Sequence, residues 1–400
     1  MEIIERRSYL NKVKQWMGKD LIIVLTGQRR VGKSCIMKLL SATLSREGNV
    51  IYIDKEKHGF ESIRESGDLN AWIDRHWQKG GKNFILIDEV QDIAGFENSL
   101  RSYYSEPDTE VIVTGSNARM LSSELTTLIA GRYKEIYVQP LSYVEFLEFH
   151  RLPDNDQSLG AYIEFGGMPG LAAVGLDRNF SSEYLSDIYH TTLLRDVVMR
   201  NGIRNTSFLD RVARFVADNE GKLISSNSIS RYLKNSGDSL SPSVIANYLK
   251  MLTEAYMVHQ VGRYDIHGKR LFESNGKYYY EDHGIRNAIV GGQRDGDIEK
   301  VLENIVYQQL VRLGYDVHIG QLQTGEIDFV CTKPAGTRLY IQVAYLIADE
   351  KTREREFGTL HRLNDNYPKY VISMNPPAGR RDEQGITHLH LRDFLIEGLA

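Results

Sequence analysis

The sequence predicts a multidomain α/β protein that begins with a parallel β-sheet. Three observations support this fold class. A glycine-rich loop, residues 27–34, lies between a short apolar strand and an amphipathic helix, and a second apolar strand, residues 84–87, ends in two acidic residues. Further apolar strands at 50–54, 110–116 and 135–139 alternate with helical stretches. Strands that alternate with helices in this way are typical of parallel α/β sheets.

Length and composition narrow the class of protein. A chain of 400 residues exceeds what one hydrophobic core usually supports, so we expect two to four domains. The net charge of −4 gives no overall attraction to nucleic acid or anionic membranes. No apolar run is long enough to span a bilayer, and the first ten residues lack the apolar stretch of a signal peptide. The two cysteines stand far apart in sequence. We therefore expect a cytoplasmic protein with no membrane partner, no disulfide framework and no zinc site.

The segment LIIVLTGQRRVGKSCIMKLL carries the strongest functional signal. Gly27, Gly32, Lys33 and Ser34 have the spacing of a phosphate-binding loop that follows a strand and opens a helix. Such a loop presents backbone N–H groups and a helix N-terminus to the phosphates of ATP. We expect Lys33 to contact the β- and γ-phosphates and the Ser34 hydroxyl to bind Mg²⁺. The predicted ATP-binding residues are Gly27, Gln28, Arg29, Arg30, Val31, Gly32, Lys33, Ser34 and Cys35.

The acidic pair in NFILIDEVQD completes this prediction. A buried strand presents Asp88 to the magnesium ion, and Glu89 beside it is suited to orient and activate the attacking water. The strand at 110–116 ends in polar residues, and in P-loop ATPases with this acidic pair such a strand lies between the two motif strands. Its end would then sense the γ-phosphate through Ser116 or Thr114, although an ordinary polar strand end is the alternative.

Together these motifs resemble the AAA+ superfamily of P-loop ATPases. Gly131 and Arg132 precede the fifth strand in GRYKEIYVQ, where an arginine of an AAA+ protein points into the nucleotide site of the neighbouring subunit. The resemblance therefore implies that Arg132 is an arginine finger in a homo-oligomer, with a structural ion pair as the alternative. With GGMPG at 166–170 and NYPKYVIS at 366–373, the chain is similar to prokaryotic AAA-type ATP-binding proteins with a C-terminal domain of unknown function.

Four parts follow from this organisation. They are a P-loop ATPase core with an AAA+/RecA-like parallel sheet at 1–140, a helical lid or linker at 141–205, a winged-helix-like part at 206–290, and an α/β domain resembling the restriction-endonuclease fold at 291–400. Three helices followed by a hairpin with His-Gly-Lys and Asn-Gly turns predict the winged helix. Its basic and acidic residues are nearly balanced, so DNA contact and a protein-interaction or packing role both stay open.

The last part lacks two groups that an active nuclease of this fold would need. Glu303 and Asp328 match two acidic positions of the metal site, whereas Gln342 stands in the place of the third acid and Ala344 in that of the lysine. No lysine lies within two residues of that place. We therefore expect an inactive nuclease domain that still docks onto nucleic acid or a protein partner.

The resulting interpretation is an ATP-hydrolysing switch, with cofactors ATP and Mg²⁺, that couples nucleotide state to the winged helix and the C-terminal domain. Two alternatives remain. One is a nucleic-acid enzyme or defence effector in which ATP gates DNA binding or cleavage. The other is a scaffold that binds ATP without hydrolysing it, and the full set of Lys33, Ser34, Asp88 and Glu89 argues against it.

Overall fold

The structure is a computed structural model that describes residues 4–118, 131–235, 237, 240–272, 275–292, 296–323, 325–334, 336–376 and 385–399. The chain divides into two compact units. The first contains the chain up to Gln139 together with Glu254–Tyr256, and the second contains Pro140–Thr253 and the chain from Met257 onwards. Within the described ranges, no helix is both long enough and apolar enough to cross a membrane.

The first unit alternates strands and helices. Its elements are α1 Arg7–Trp16, β1 Ile22–Thr26, α2 Lys33–Leu44, β2 Asn49–Asp54, α3 Ser66–His76, β3 Asn83–Asp88, α4 Phe96–Tyr104, β4 Thr109–Gly115 and β5 Tyr133–Tyr137.

The five strands form one parallel sheet in the order β2-β3-β4-β1-β5. Every residue of β1 and β3 is buried, as expected for strands that helices cover on both faces. Strand β4 lies between β1 and β3, which confirms the predicted insertion of a strand between the two motif strands. Because the strands are parallel, the carboxyl ends of β1, β3 and β4 meet at one edge of the sheet, where ligands bind in open α/β sheets.

The second unit begins with helices and ends with a sheet. Its elements are α5 Tyr143–His150, α6 Asp156–Phe165, α7 Leu171–Val174, α8 Arg178–Thr192 with a π-helical continuation Leu193–Met199, α9 Thr206–Asp218, α10 Ser226–Asn235, α11 Pro242–Glu254, β6 Val258–Val261, β7 Arg263–Asp265, β8 Arg270–Leu271, β9 Lys277–Tyr280, α12 His283–Val290, α13 Ile298–Arg312, β10 Asp316–Gln321, β11 Glu326–Thr332, β12 Arg338–Val343, α14 Glu350–His361, β13 Lys369–Ser373, β14 Thr387–His390 and α15 Leu391–Glu397.

A mixed sheet runs through this unit in the order β14-β13-β12-β11-β10-β7-β8. Strand β11 is antiparallel to both of its neighbours, β10 and β12, whereas β13 and β14 continue the sheet in parallel. The predicted order of helix, three strands, helix and strand is present as α13, β10 to β12, α14 and β13. The sheet and its helices bury a large apolar cluster that includes Val306, Phe329, Ile341 and Phe394.

The hairpin that the sequence predicts after α11 is divided between two sheets. Strand β6 pairs with β9, and Ile224 forms an isolated bridge with Gly276, the residue just before β9. Strands β7 and β8 form the turn around His267–Lys269, but β7 also pairs in parallel with β10. The predicted short strands and the turn at His267–Lys269 are present, but their pairing is divided, because β7 also satisfies the backbone hydrogen bonds of the β10 edge.

A buried arginine connects three helices of the second unit. Arg286 of α12 is fully buried, and its guanidinium lies 2.8 Å from Asp297 Oδ2 and 3.5 Å from Glu220 Oε2. It also donates a hydrogen bond to the Ala217 carbonyl oxygen at the end of α9, at 3.1 Å. A charge removed from water in this way is tolerated only when it is paired and hydrogen-bonded, so Arg286 fixes how α9, α12 and α13 meet.

The GGMPG segment packs tightly against the start of α12. Gly167 N donates to Asp282 Oδ2 at 2.7 Å, and Asp282 Oδ1 caps α12 by accepting from Ile285 N at 2.9 Å. A Cβ atom on Gly284 would lie 1.9 Å from the carbonyl oxygen of Phe165, which is backbone and cannot move aside cheaply. This contact explains a glycine at position 284, inside a helix where alanine is otherwise preferred.

We therefore expect opposite effects from two glycine-to-alanine substitutions. Gly284→Ala should destabilise the second unit by about 1–3 kcal/mol, because the added methyl group overlaps a backbone oxygen. Gly160→Ala, in α6 with nothing within 4 Å of the added Cβ, should stabilise it by about 0.5–1 kcal/mol. Amide hydrogen exchange of α6 and α12 measures both effects. Equal protection of α12 in wild type and Gly284→Ala would contradict the proposed packing.

Candidate functional site

The predicted site residues gather at the carboxyl edge of the parallel sheet. The loop 27–32 connects β1 to α2, the acidic pair follows β3, and Thr114 and Ser116 lie at the end of β4. Residues from three separate sequence regions therefore meet because the strand order brings β1, β4 and β3 side by side.

The loop requires glycine at its first position. Gly27 has φ +137°, and a Cβ there would lie 2.2 Å from the carbonyl oxygen of Val138, just after β5. Gly32 has φ +102° and precedes the first residue of α2. Both conformations are strained for residues with side chains. The loop can therefore curl back over the sheet and turn into the helix only with glycine at these two positions.

Lys33 is buried beneath the loop. Its Nζ donates hydrogen bonds to the carbonyl oxygens of Gly27 at 2.8 Å and Gln28 at 2.9 Å. The ammonium group thus lies inside the curve of the loop, the position from which a lysine contacts bound phosphates. The Gln28 side chain is also buried, and its Oε1 has no hydrogen-bond partner among the described residues.

The other predicted loop residues have varied surroundings. Arg29 Nη1 lies 2.9 Å from Glu56 Oε1, and Arg30 adopts φ +68°, which is uncommon for a residue other than glycine. Val31 is fully buried, whereas Cys35 is an exposed free thiol on the first turn of α2. A contribution of Cys35 to phosphate binding would therefore come from its backbone N–H at the helix N-terminus.

Asp88 is a buried carboxylate held by hydroxyl groups. Thr114 Oγ1 donates to Asp88 Oδ1 at 2.5 Å. Burial raises the pKa of Asp88 above its ordinary value, while hydrogen bonds from Thr114 and Ser34 act in the opposite direction. Ser34 and Asp88, the two predicted magnesium ligands, are therefore in contact.

Glu89 is buried among groups that favour its ionised form. Burial alone would raise its pKa, but the charges of Lys33 and Arg29 and hydrogen bonds from Gln91 and Ser116 hold the pKa of Glu89 below its ordinary value. Ser116 Oγ donates to Glu89 Oε2 at 3.0 Å, and Gln91 Nε2 donates to the same oxygen. Glu89 also has φ +56°, a strained backbone conformation of the kind that clusters at active sites.

Thr114 and Ser116 organise the acidic pair. Thr114 Oγ1 accepts from Glu89 N at 2.9 Å while it donates to Asp88, so a single hydroxyl group orients both acidic residues. Ser116 contacts Glu89. The sequence indicated polar residues at this strand end, and only the structure reveals that their hydroxyl groups contact the carboxylates.

Arg132 lies immediately before β5. Its side chain is exposed, and its backbone carbonyl oxygen accepts a hydrogen bond from Ile22 N at 2.9 Å. The residue is therefore held at the start of the edge strand and stays apart from the acidic pair of its own chain. Its role as an arginine finger remains a prediction.

Arg6 is a residue that sequence reasoning missed. It is buried, and its Nη1 donates to the carbonyl oxygens of Val31 at 2.9 Å and Gln139 at 2.7 Å. Its guanidinium carbon lies 4.5 Å from the centre of the Tyr9 ring, and Tyr9 Oη accepts from Gln139 N. Arg6 thus connects the phosphate loop to the end of β5. Nothing in the sequence distinguished it from its neighbour Arg7.

The donor set suits a magnesium–nucleotide complex better than a free metal ion. Among the described residues, no group of three His, Cys, Asp or Glu side chains is arranged to hold a metal ion. A hydroxyl group beside one carboxylate, as in Ser34 and Asp88, matches Mg²⁺ bound through one or two protein ligands, substrate phosphates and water.

Two family models match the chain. An AAA domain matches residues 19–147, and a domain of unknown function, DUF8612, matches residues 156–295. The first match contains every predicted residue of the site edge.

Relatives cover nearly the whole chain. An uncharacterized protein of Haemophilus influenzae is 33% identical over 408 residues, which cover 99% of each chain. The uncharacterized protein MJ1544 of Methanocaldococcus jannaschii is 24% identical over 396 residues, covering 94% of this chain and 87% of the relative.

A solved structure shares the fold. The Walker-type ATPase PABY2304 of Pyrococcus abyssi superposes with a TM-score of 0.52 at 17% identity, covering 72% of this chain and 96% of that chain. At this identity the likeness concerns the fold alone. The chain belongs to the same family as the uncharacterized Haemophilus influenzae protein, and its first part is an AAA domain with the fold of the P-loop ATPases.

Proposed function

We propose that this protein binds and hydrolyses ATP and uses the nucleotide state as a switch. The reaction is ATP plus water to ADP plus phosphate. The observation that carries the proposal is the buried Glu89 beside Asp88, which accepts a hydrogen bond from Ser116 and lies near the positive charges of Lys33 and Arg29. A scaffold that binds ATP without hydrolysing it would not need a buried carboxylate on a strained backbone at this position.

Each residue has a defined task in this mechanism. Lys33 leaves the carbonyl oxygens of Gly27 and Gln28 and binds the β- and γ-phosphates. Glu89 orients a water molecule and accepts its proton as the oxygen attacks the γ-phosphorus. The bond from the γ-phosphorus to the β–γ bridging oxygen breaks, and ADP leaves with the bonding electrons. Thr114 and Ser116 keep the two acidic side chains in fixed orientations, which lowers the cost of reaching the transition state.

Ser34 and Asp88 are the residues that would hold Mg²⁺. The ion, when bound with ATP, supplies positive charge to the β- and γ-phosphates. Arg132, exposed at the start of β5, is suited to contact the nucleotide of a neighbouring subunit, so we propose a homo-oligomer in the active state. The cytoplasmic location remains a prediction.

The second unit supplies the parts that respond to the nucleotide. Helices α9, α10 and α11, the bridge at Ile224 and the β6–β9 pair follow the order of a winged helix, with β7 and β8 inserted at the wing. The order of α13, β10 to β12, α14 and β13 matches the core of the restriction-endonuclease-like fold. We therefore propose a helical lid, a winged helix and an inactive nuclease-like domain, which recognise DNA or a protein partner.

An ATP-gated nucleic-acid-binding protein or defence effector is the second candidate. The winged-helix-like order of α9 to β9 favours it, since such domains commonly insert their second short helix into the major groove. Phosphate release measured with and without duplex DNA separates the two candidates. Stimulation by DNA supports nucleic-acid gating, whereas an unchanged rate supports a protein partner.

The first prediction concerns the phosphate loop and the proposed base. Lys33→Ala should abolish ATP binding, because it removes the ammonium group that contacts the phosphates. Glu89→Gln should still bind ATP but hydrolyse it at least about 100-fold more slowly, because the amide cannot accept a proton. Nucleotide binding by calorimetry and phosphate release measure the two effects. The exposed Lys38→Ala and Glu47→Gln variants are matched controls. Wild-type turnover in Glu89→Gln would refute its role.

The second prediction concerns Arg132. Arginine fingers contribute roughly 10³–10⁵-fold in rate, so Arg132→Ala should be nearly inactive while it still binds ATP. Mixing inactive Arg132→Ala with inactive Glu89→Gln should restore some activity if the finger acts between subunits. The exposed Arg46→Ala variant is the control for loss of surface charge. The role of Arg132 as a finger between subunits would be refuted if mixing restored no activity and light scattering found a monomer at saturating ATP.

The third prediction concerns nuclease activity. With Gln342 and Ala344 in place of an acid and a lysine, cleavage loses metal affinity and a cation beside the phosphorane. Each loss of about 1.4 kcal/mol slows the reaction tenfold. Purified protein should therefore leave plasmid, linear DNA, single-stranded DNA and RNA intact with Mg²⁺ or Mn²⁺, with or without ATP. Cleavage that disappears in Asp328→Ala would show that the domain is an active nuclease, and cleavage that survives it would indicate a contaminant.

A further inference from the structure

A lysine far away in sequence lies among the acidic residues of the C-terminal domain. Lys277, the first residue of β9, has its Nζ 2.7 Å from Glu303 Oε1 of α13 and 2.7 Å from Glu326 Oε1 of β11. The same Nζ lies 3.6 Å from Asp328 Oδ1. We call these four residues the Lys277 cluster. It joins the two-stranded β6–β9 sheet to the helix and strand that carry the acidic residues.

The cluster is closed to solvent on the lysine side. The Lys277 side chain is 4% exposed. Burial disfavours its ammonium group, but Glu303, Asp328 and Glu326 together raise the pKa of Lys277 above its ordinary value. The buried ammonium group is therefore paired with three carboxylates, of which Asp328 is buried while the Glu303 and Glu326 side chains remain 14% and 30% exposed.

Neighbouring groups also hydrogen-bond to two residues of the cluster, Glu303 and Asp328. Tyr279 Oη donates to Glu303 Oε1 at 2.5 Å, and Val343 N donates to Asp328 Oδ2 at 2.9 Å. Gln342 Oε1 accepts from Asp328 N at 3.4 Å.

A divalent cation would need the same oxygen atoms. Mg²⁺ and Mn²⁺ bind carboxylate oxygens and water at short distances, and they favour sites where several carboxylates lack another counter-charge. Here Nζ is within hydrogen-bonding distance of two carboxylates at once, so the oxygens that face the centre of the cluster already have a cation. A metal ion at the centre of the cluster would have to displace this buried ammonium group.

We propose that Lys277 is a built-in cation that permanently occupies the acidic cluster of the C-terminal domain, excludes divalent metal ions from it and fixes strand β9 against α13 and β11. The inference deepens the proposal of an inactive nuclease-like domain and partly rests on it. The two proposals have different bases, however. The inactive domain is inferred from the lack of an acid at position 342 and of a lysine at position 344, whereas the present inference is drawn from the contacts of Lys277 with the acidic residues.

The rival role for Lys277 is that of a relocated catalytic lysine. A catalytic lysine would contact the scissile phosphate beside a metal ion that the acidic residues hold. Direct contact of Nζ with both Glu303 and Glu326 argues against this role, because it uses the carboxylate oxygens that the metal would need. The two roles predict opposite responses to metal ions and to removal of the amine.

The test uses the full chain without nucleotide, so that no Mn²⁺–ATP complex forms at the first unit. Amide hydrogen exchange of β9, β11 and α13 is measured in EDTA and in millimolar Mn²⁺. Wild type should show identical protection in both. Lys277→Met should exchange faster by at least roughly a hundredfold in EDTA, because it leaves the buried Asp328 and the partly buried Glu303 and Glu326 without a counter-charge, and Mn²⁺ should restore part of the protection.

Three further variants keep the outcome interpretable. Lys277→Arg retains the charge and should remain close to wild type in metal independence, whereas Lys269→Met, in the exposed β7–β8 turn, controls for loss of a surface lysine. The triple variant Lys277→Met, Glu303→Gln, Glu326→Gln should recover most of the protection and lose the Mn²⁺ response. This variant also decides the case in which Lys277→Met alone fails to fold.

Three results would overturn the inference. Mn²⁺ binding to wild type that disappears in Asp328→Asn would show that the lysine does not exclude metal. A triple variant no better protected than Lys277→Met would show that charge compensation is not its role. Metal-dependent DNA cleavage by wild type that is lost in Lys277→Met would make it a catalytic lysine. That last result would also refute the inactive domain, whereas the first two would leave that proposal standing.

Discussion

The burial of two adjacent carboxylates, Asp88 and Glu89, is the constraint on which the first unit depends. Such groups are stable inside a protein only when donors and positive charge surround them. The sheet order meets this need by inserting β4 between β1 and β3, so that Thr114 and Ser116 reach the acidic pair and Lys33 lies opposite. Other features hold the loop and the acidic pair in place. They are the glycines of the loop, the strained backbone of Glu89 and the buried Arg6, which donates to the loop.

The same physical rule governs the second unit, with a different outcome. Arg286 compensates Glu220 and Asp297 at the junction of three helices, and Lys277 compensates Glu303, Glu326 and Asp328 at the junction of two sheets. In the first unit the charges surround a loop built to receive an anionic ligand. In the second unit the basic and acidic side chains neutralise one another. This contrast agrees with the proposal that catalysis belongs to the AAA domain and recognition of a partner to the rest.

The sequence predicted features whose signals are local. The phosphate loop, the acidic pair and the alternation of strands and helices follow from short patterns, and the polar end of β4 was recognised without its partners. Arg6 and Lys277 could not be found this way, because their importance arises from contacts that are distant in sequence. Arg6 contacts Val31, which is 25 positions away, and Lys277 contacts Glu303, which is 26 positions away. The division of the hairpin between two sheets was missed for a related reason, since the edge of β10 lies beyond the segment that suggested it.

The most direct test of the central claim is phosphate release from ATP by the purified wild-type chain in Mg²⁺, compared with the same reaction in EDTA. Release must be measured over the range of protein concentration in which assembly occurs, because the proposed finger acts between subunits. Phosphate release should depend on Mg²⁺, and its rate per chain should rise with protein concentration. Tight ATP binding with no release at any concentration would contradict this prediction, and it would identify the AAA domain as a scaffold that uses ATP only as a structural ligand.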